Sequence, residues 1–219
     1  TQMQYAPKGT TNWKPCSNGE TSVMPGTYYL YLKADSTNTN YTDSSFAEVT
    51  VPAYGAGVTV SGTVKSYNPG NATTIQLMQG GAEKYSTTID PTTGSGQKEQ
   101  SFSFDTVAAG TYDLVVTKPG HLTYTVTGVV VGDTALDLTE HTNAAISTIT
   151  LIPGDLNNDG SVNTQDYQIL TSPSNYGKSA SLAAVKVADI NGDGSINTQD
   201  YQVLTSPSHY GKSNVILAY

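Results

Sequence analysis

The sequence predicts a mainly β chain that closes in a small helical module, and two observations predict it. Residues 57–152 hold seven short runs rich in Val, Ile, Thr and Tyr, each bounded by Gly, Pro or Asn. That spacing is the pattern of a β-sandwich. Residues 155–179 (DLNNDGSVNTQDYQILTSPSNYGKS) and 189–213 (DINGDGSINTQDYQVLTSPSHYGKS) are two copies of one segment, offset by 34 residues and identical at 20 of 25 positions. Each copy runs from an Asp/Asn/Gly-rich turn into a stretch whose apolar residues recur at helical spacing.

In chain order, MPGTYYLYLKA (residues 24–34) reads as a strand after a Pro-Gly turn and SSFAEVTVP (44–52) as a second, with DSTNTNYTD (35–43) between them. Residues 1–54 resemble an immunoglobulin-like β repeat, and about fifty residues make a marginal core for one. Residues 55–152 follow as the sandwich, with strands expected in GVTVSGTVKSY, TTIQLMQ, KYSTTI, SFSF, GTYDLVVTK, LTYTVTGVVV and ISTITLI. SGTVKSY and the AAGTYDLVVTKPGH hairpin resemble the carboxypeptidase-regulatory, prealbumin-like fold. The Thr150–Gly154 junction carries no flexible linker, which favours direct packing onto residues 153–219.

In each repeat Asp, Asn and Asp stand at loop positions 1, 3 and 5, Gly at 6 and Asp at 12. A hard divalent cation needs several oxygen ligands on a short, sharply turned loop, and this is the spacing of an EF-hand calcium loop. The ligands expected are Asp155, Asn157, Asp159, the Ser161 carbonyl, Asn163 and Asp166 in the first loop. The second repeats them as Asp189, Asn191, Asp193, Ser195, Asn197 and Asp200, for two Ca2+ ions in all. From Pro153 to Tyr219 there are six acidic side chains, and all six occupy positions 1, 5 or 12. A merely solvated acidic surface would scatter them. Asx-rich turns that form without an ion are the alternative.

Behind the loops, Tyr167 with Leu170 and Tyr201 with Leu204 would face a shared core, leaving Thr164, Gln165, Gln168 and Thr171 on the wetter side. Pro173 and Pro207 should stop these helices. Residues 181–188 (SLAAVKVA) are expected to add a third short helix.

A duplicated D-x-N-x-D-G loop with Asp at position 12 and Leu at position 16 resembles the type I dockerin. The resemblance covers residues 153 to about 213. It implies a calcium-dependent module that docks a secreted polysaccharide-degrading protein onto a scaffoldin cohesin, as in cellulosomes or amylosomes. It also implies cohesin contacts at Thr164, Gln165, Thr171 and Ser172, and at Thr198, Gln199, Thr205 and Ser206. Here Ser-Pro-Ser stands at 172–174 and 206–208, where many dockerins continue the helix with basic residues. Modules of the prealbumin-like sort often precede a dockerin, where they are called X modules. The matching outer residues of the two copies suggest two equivalent docking faces related by a pseudo-twofold axis. A recent duplication would give the same match.

Composition narrows the remaining classes. The net charge of −8 and a pI near 4.6 argue against nucleic acid and anionic membranes as partners. No apolar run reaches the roughly 18–20 residues of a membrane span. A Thr/Ser/Asn/Gly/Tyr-rich chain with 13% charged residues suits a secreted, extracellular protein. Cys16 is the only cysteine, so no disulfide forms within the chain. His121, His141 and His209 are isolated, and His209 in place of Asn175 reads as a tolerated surface exchange. No hydrolase, zinc-protease or nucleotide motif occurs, and no enzyme is expected. Lys65 is the position to check for an isopeptide crosslink. The rival class is a carbohydrate-binding β protein whose calcium loops serve stability alone. Tyr29 and Tyr31, or Tyr28 with Leu30, would each share a strand face there.

Overall fold

The computed structural model describes residues 2–17, 21, 23, 26–33, 44–51 and 57–219. The chain forms two compact units, Thr1–Ala56 and Gly57–Tyr219. The first is a four-stranded antiparallel sheet of β1 (Gln2–Pro7), β2 (Lys14–Pro15), β3 (Gly26–Lys33) and β4 (Ala47–Val51), ordered β2-β1-β3-β4. The two strands expected here are β3 and β4. Met24, Pro25, Ala34, Pro52 and the intervening 35–43 lie outside the described residues. Tyr29 and Tyr31 share one face, and Phe46 packs beside both. The Trp13 ring stacks on Phe46 at 5.3 Å and meets Tyr31 edge-on at 4.5 Å. On the other face Tyr5 and Tyr28 pack edge-to-face at 5.9 Å.

The second unit is a β-sandwich joined to a helical module, as the fold class predicts. One sheet contains β6 (Thr73–Gln79), β7 (Ala82–Ile89), β9 (Gly110–Thr117) and β10 (Tyr124–Val131). Facing it, β5 (Val58–Tyr67) pairs with β8 (Gln97–Val107) on one edge. On its other edge lie the two-residue β11 (Leu136–Asp137) and β12 (Ile149–Thr150). Period-2 alternation is plain in β5, where Val60, Gly62, Val64 and Ser66 point inward, and in β9, where Tyr112, Leu114 and Val116 do. With Ile75, Leu77, Phe102, Phe104 and Val126 these residues form the sandwich core.

Six of the seven expected strands form. The run at 146–152 departs from expectation: Asn143 caps a helical turn, α1 (Ala144–Ser147), by accepting the Ala145 N–H at 3.0 Å. Only Ile149 and Thr150 of that run are extended in the sheet. A capping Asn followed by Ala-Ala outweighs the β-branched residues there.

One strand goes beyond the expected set. After the helical module, β13 (Val215–Ala218) returns to the sandwich and pairs parallel with β10, completing the order β13-β10-β9-β6-β7. Asn214 fixes its entry, because its Oδ1 accepts the Thr123 N–H at 2.9 Å while its own N–H donates to the Gly160 carbonyl at 3.0 Å.

The helical module has its own core of Leu156, Val162, Leu170, Ile190, Ile196 and Leu204, to which the sandwich contributes Leu122. Its helices α2 (Thr164–Thr171) and α3 (Thr198–Leu204) both stop ahead of the Ser-Pro-Ser stretches. The third helix expected at 181–188 is reduced to a 3-10 turn at Lys186–Ala188. Asn175 Oδ1 takes the Val185 N–H at 2.9 Å, and this bond holds the segment against α2 rather than letting it coil. Among the described residues no helix is long and apolar enough to cross a membrane.

Candidate metal centres and helix faces

The two loops fold alike because they carry the same self-satisfying carboxylates. Asp155 accepts the Asp159 and Gly160 N–H groups, each at 3.0 Å, and Asp189 accepts those of Gly192, Asp193 and Gly194. Position 12 closes each loop. Asp166 takes the N–H groups of Leu156 at 2.7 Å and Asn163 at 2.8 Å; Asp200 takes those of Asn191 at 3.0 Å and Asn197 at 2.9 Å. The last of these in each loop is half of a capping box, since Asn163 and Asn197 cap α2 and α3 in return. Asn157 and Asp159, like Asn191 and Asp193, lie within hydrogen-bonding distance across the loop mouth. Each loop therefore gathers its expected Asp and Asn side chains, and the Ser161 hydroxyl lies 3.3 Å from that of Ser213 in the other copy.

The donor set is made of carboxylate, amide and carbonyl oxygens, which suits a hard cation. Among the described residues no group of three or more His, Cys, Asp and Glu side chains is placed to hold a metal ion by itself, so Asn side chains and loop carbonyls would have to complete each donor set. Asp166 and Asp200 are 0% exposed, and Asp155 and Asp189 are also buried. Yet the only ion pair among the described residues is Lys8–Glu48, in the other unit. Burial pushes the Asp155, Asp189 and Asp200 carboxyls above their ordinary range, although loop N–H groups pull them back. Buried carboxylates without a cationic side chain are costly unless an ion compensates them. The residues present fit calcium.

The repeats are knitted together reciprocally. Val162, at position 8 of loop one, exchanges backbone hydrogen bonds with Gly211 and Lys212 of copy two; Ile196 does the same with Gly177 and Lys178 of copy one. Gly177 and Gly211 supply the turn, with φ of 75° and 74°. The tyrosine before each glycine is thereby carried onto the other copy's helix. Tyr210 Oη lies 3.0 Å from Thr164 Oγ1, and Tyr176 Oη lies 3.1 Å from Thr198 Oγ1. At the centre Tyr167 and Tyr201 meet edge-to-face at 5.8 Å. These matched pairs describe a pseudo-twofold axis.

Of the residues assigned to partner contact, Thr164, Gln165, Thr198 and Gln199 are exposed at the helix starts, and Thr171, Ser172, Thr205 and Ser206 are half-buried at the helix ends. The Gln165 and Gln199 side chains accept from Asn157 and Asn191 at 3.0 and 3.1 Å, which ties each face to its loop. Thr171 and Thr205 donate back to the Tyr167 and Tyr201 carbonyls at 2.8 and 2.7 Å.

The sandwich breaks this symmetry, touching loop two. Asn68 Nδ2 donates to the Asp189 carbonyl at 2.9 Å and Gly96 N–H to the Asn191 carbonyl at 2.6 Å. The Lys118–His121 turn meets Gly154 and Val187, and Tyr67 faces the His209 ring at 6.0 Å. His209 is therefore not a surface exchange: it is half-buried against the sandwich, with Nδ1 2.6 Å from the Val203 carbonyl. Lys65 is half-exposed, and the buried lysine is Lys118. Its Nζ and His121 Nε2 are buried without a protein partner, a pair that strand alternation in GTYDLVVTK hints at only weakly.

Position 4 of the loops shows the same asymmetry. Asn158 (φ 60°) and Gly192 (φ 75°) are both left-handed, but a Cβ on Gly192 would lie 2.7 Å from Asn68 Oδ1. Giving copy two the residue of copy one, Gly192→Asn, should therefore cost about 1–3 kcal/mol through overpacking at the junction. The reciprocal Asn158→Gly should change stability by less than about 1 kcal/mol. Paired urea titrations check this, and equal costs would remove the junction as the cause.

No curated protein matches the chain. Among solved structures, the chain is similar to an N-terminal interface mutant of a type II cohesin–X-dockerin complex from Acetivibrio cellulolyticus. The match has 25% identity and a TM-score of 0.52, and covers 72% of this chain and 97% of that one. A C-terminal interface mutant of the same complex matches with 25% identity, TM-score 0.51 and the same coverage. The duplicated loops and their helices fall within residues 153–206, which match the dockerin type I domain.

Proposed function

We propose that this chain is a non-catalytic, secreted adhesion segment whose C-terminal module grips a scaffoldin cohesin once two calcium ions fill its loops. Residues 1–54 would be a β repeat, 55–152 an X-like sandwich that steadies the dockerin, and 153–219 the dockerin itself. The observation that carries the reading is the pair of fully buried, cation-free carboxylates Asp166 and Asp200 at the base of two symmetry-related helix starts. Asp155, Asn157, Asp159, Ser161, Asn163 and Asp166 would hold one ion, and their counterparts 34 residues on the other. Bound calcium would supply the missing positive charge and fix the direction of α2 and α3. The cohesin would then be met by Thr164, Gln165, Thr171 and Ser172, or by Thr198, Gln199, Thr205 and Ser206. Its effect would be to fasten a polysaccharide-degrading protein to a multi-enzyme complex or cell surface.

The test is capture by a panel of cohesins, with calcium and with EGTA. Capture in calcium alone supports the reading, and no capture by any cohesin removes it. With two usable faces, Thr164→Ala/Gln165→Ala should weaken binding less than about 3-fold. Adding Thr198→Ala/Gln199→Ala should weaken it more than about 100-fold, the loss of both sets of interface contacts. A large loss from the first pair alone would mean one face only.

A second reading rests on the aromatic face of the first unit, where Trp13, Tyr29 and Tyr31 surround a Phe46 that is 61% exposed. Such a face can stack on sugar rings. Retardation in affinity gels with starch, cellulose or xylan that persists in EGTA would favour it.

A further inference from the structure

We infer that each docking face of the helical module is a composite of both repeats: the helix start of one copy and the tyrosine of the other. This rests on the docking reading above and changes which residues belong together. Sequence adjacency groups Tyr176 with Thr164 and Gln165, and Tyr210 with Thr198 and Gln199. The fold groups them the other way.

The reason is the backbone exchange between the copies. Gly211 and Lys212 pair with Val162, so Tyr210 is delivered to the start of α2, its hydroxyl 3.0 Å from Thr164 Oγ1. Thr164, Tyr167, Thr205 and Tyr210 together line a shallow groove of about 320 Å³. That groove thus has the helix start of copy one on one wall and the helix end and tyrosine of copy two opposite. The mirror arrangement brings Tyr176 to Thr198 at 3.1 Å.

Packing within the module does not account for these tyrosines. Tyr176 and Tyr210 are 39% and 38% exposed, and their hydroxyls meet Thr198 and Thr164 at the surface while the core of Leu156, Leu170 and Leu204 forms without them. The residue just before each tyrosine is the contrast. Asn175 is buried under Val185 while its counterpart His209 meets Tyr67, and the two copies differ there. Where the surroundings differ the residues differ, whereas the groove residues are alike in both copies.

The occupant is a cohesin whose contacting surface is neutral and hydrogen-bonding. Thr164, Gln165, Gln168, Thr205 and Tyr210 offer hydroxyls, amides and one aromatic plate, with no charge to pair.

The experiment uses the full chain in calcium and the panel cohesin that wild type binds most tightly, with affinity measured by calorimetry. Starting from Thr164→Ala/Gln165→Ala, adding Tyr210→Ala strikes the same composite face, and adding Tyr176→Ala strikes the other. The expected result is less than 5-fold further loss for Tyr210→Ala and more than 30-fold for Tyr176→Ala. If only one face is used, Tyr210→Ala alone should instead reproduce the loss from Thr164→Ala/Gln165→Ala, and Tyr176→Ala that from Thr198→Ala/Gln199→Ala. Either pattern supports the composite. Grouping by repeat, or equal losses from both tyrosines, overturns it. Tyr176→Phe and Tyr210→Phe, with melting temperatures for every variant, separate a lost contact from a lost fold. Failure of wild type to bind any cohesin overturns the docking reading and this proposal with it, a result distinct from binding with the wrong grouping.

Discussion

Chelating calcium with EGTA should unfold the helical module of the full chain while the sandwich core keeps its strands. A site that binds only the folded state contributes about 4 kcal/mol when free ion exceeds its Kd a thousandfold. Two such sites rival the whole stability of a small domain. The module holds six Asp against Lys178, Lys186 and Lys212, a side-chain balance of 3 − 6 = −3 that two divalent ions turn into +1. Asp166 and Asp200 cannot reach solvent to shed their cost, and burial already raises the Asp155, Asp189 and Asp200 carboxyls. For an acid raised in this way, the ion-free fold loses stability as pH climbs from the unfolded value through the folded one, so at neutral pH the empty loops are strained by their own charge. The core behind them is eight buried residues, one borrowed from the sandwich. The measurement is far-UV circular dichroism and a thermal scan with excess EGTA and with millimolar calcium. Identical spectra and identical transitions in the two buffers would overturn the expectation. Asp200→Ala should reproduce part of it in calcium, because it removes a ligand and leaves the Asn191 and Asn197 N–H groups without their acceptor.

The loops were legible in the sequence because their chemistry is local: ligand spacing, the glycine turn and the capping box all fall within twelve residues. The sandwich strands were legible because β5, β6 and β9 alternate cleanly. What sequence reading missed depends on partners far along the chain. VILA has strand composition, yet nothing near it says that it will lie parallel to β10, some ninety residues earlier. The crossing of Tyr176 and Tyr210 follows from Val162 and Ile196 each pairing with the opposite copy, which periodicity does not encode. The two informative differences between the repeats, Asn158 against Gly192 and Asn175 against His209, became meaningful only once the sandwich was seen against copy two. In sequence they read as noise.

The buried end of the Lys118–His121 turn gives the second large effect, acid sensitivity of the module junction. His121 is 5% exposed, donates its Nδ1–H to the Pro119 carbonyl at 3.0 Å, and faces the like charges of Lys118 and His209. Burial, more than those charges, lowers its pKa from 6.5 to about 4. A base whose folded pKa is depressed keeps its full contribution above the unfolded value, and that contribution is lost as pH falls from 6.5 toward 4. At about 1.4 kcal/mol per unit, protonation should cost about 2 kcal/mol at pH 5 and about 3 kcal/mol at pH 4. Lys118, lowered to about 8 by burial, acts in the same sense at the alkaline end: its folded charge costs stability below pH 8, and the cost disappears as pH rises from there toward 10.5. Because protons also compete with calcium at the loop carboxylates, the His121 contribution has to be read as a difference. Wild type and His121→Asn, whose amide can still meet the Pro119 carbonyl, would be compared in saturating calcium at pH 7 and pH 5. Wild type should lose about 2 kcal/mol more than the variant over that interval, seen as an earlier urea midpoint at unchanged slope. Equal losses would mean that the turn opens before His121 is charged, and that the junction is not where acid acts.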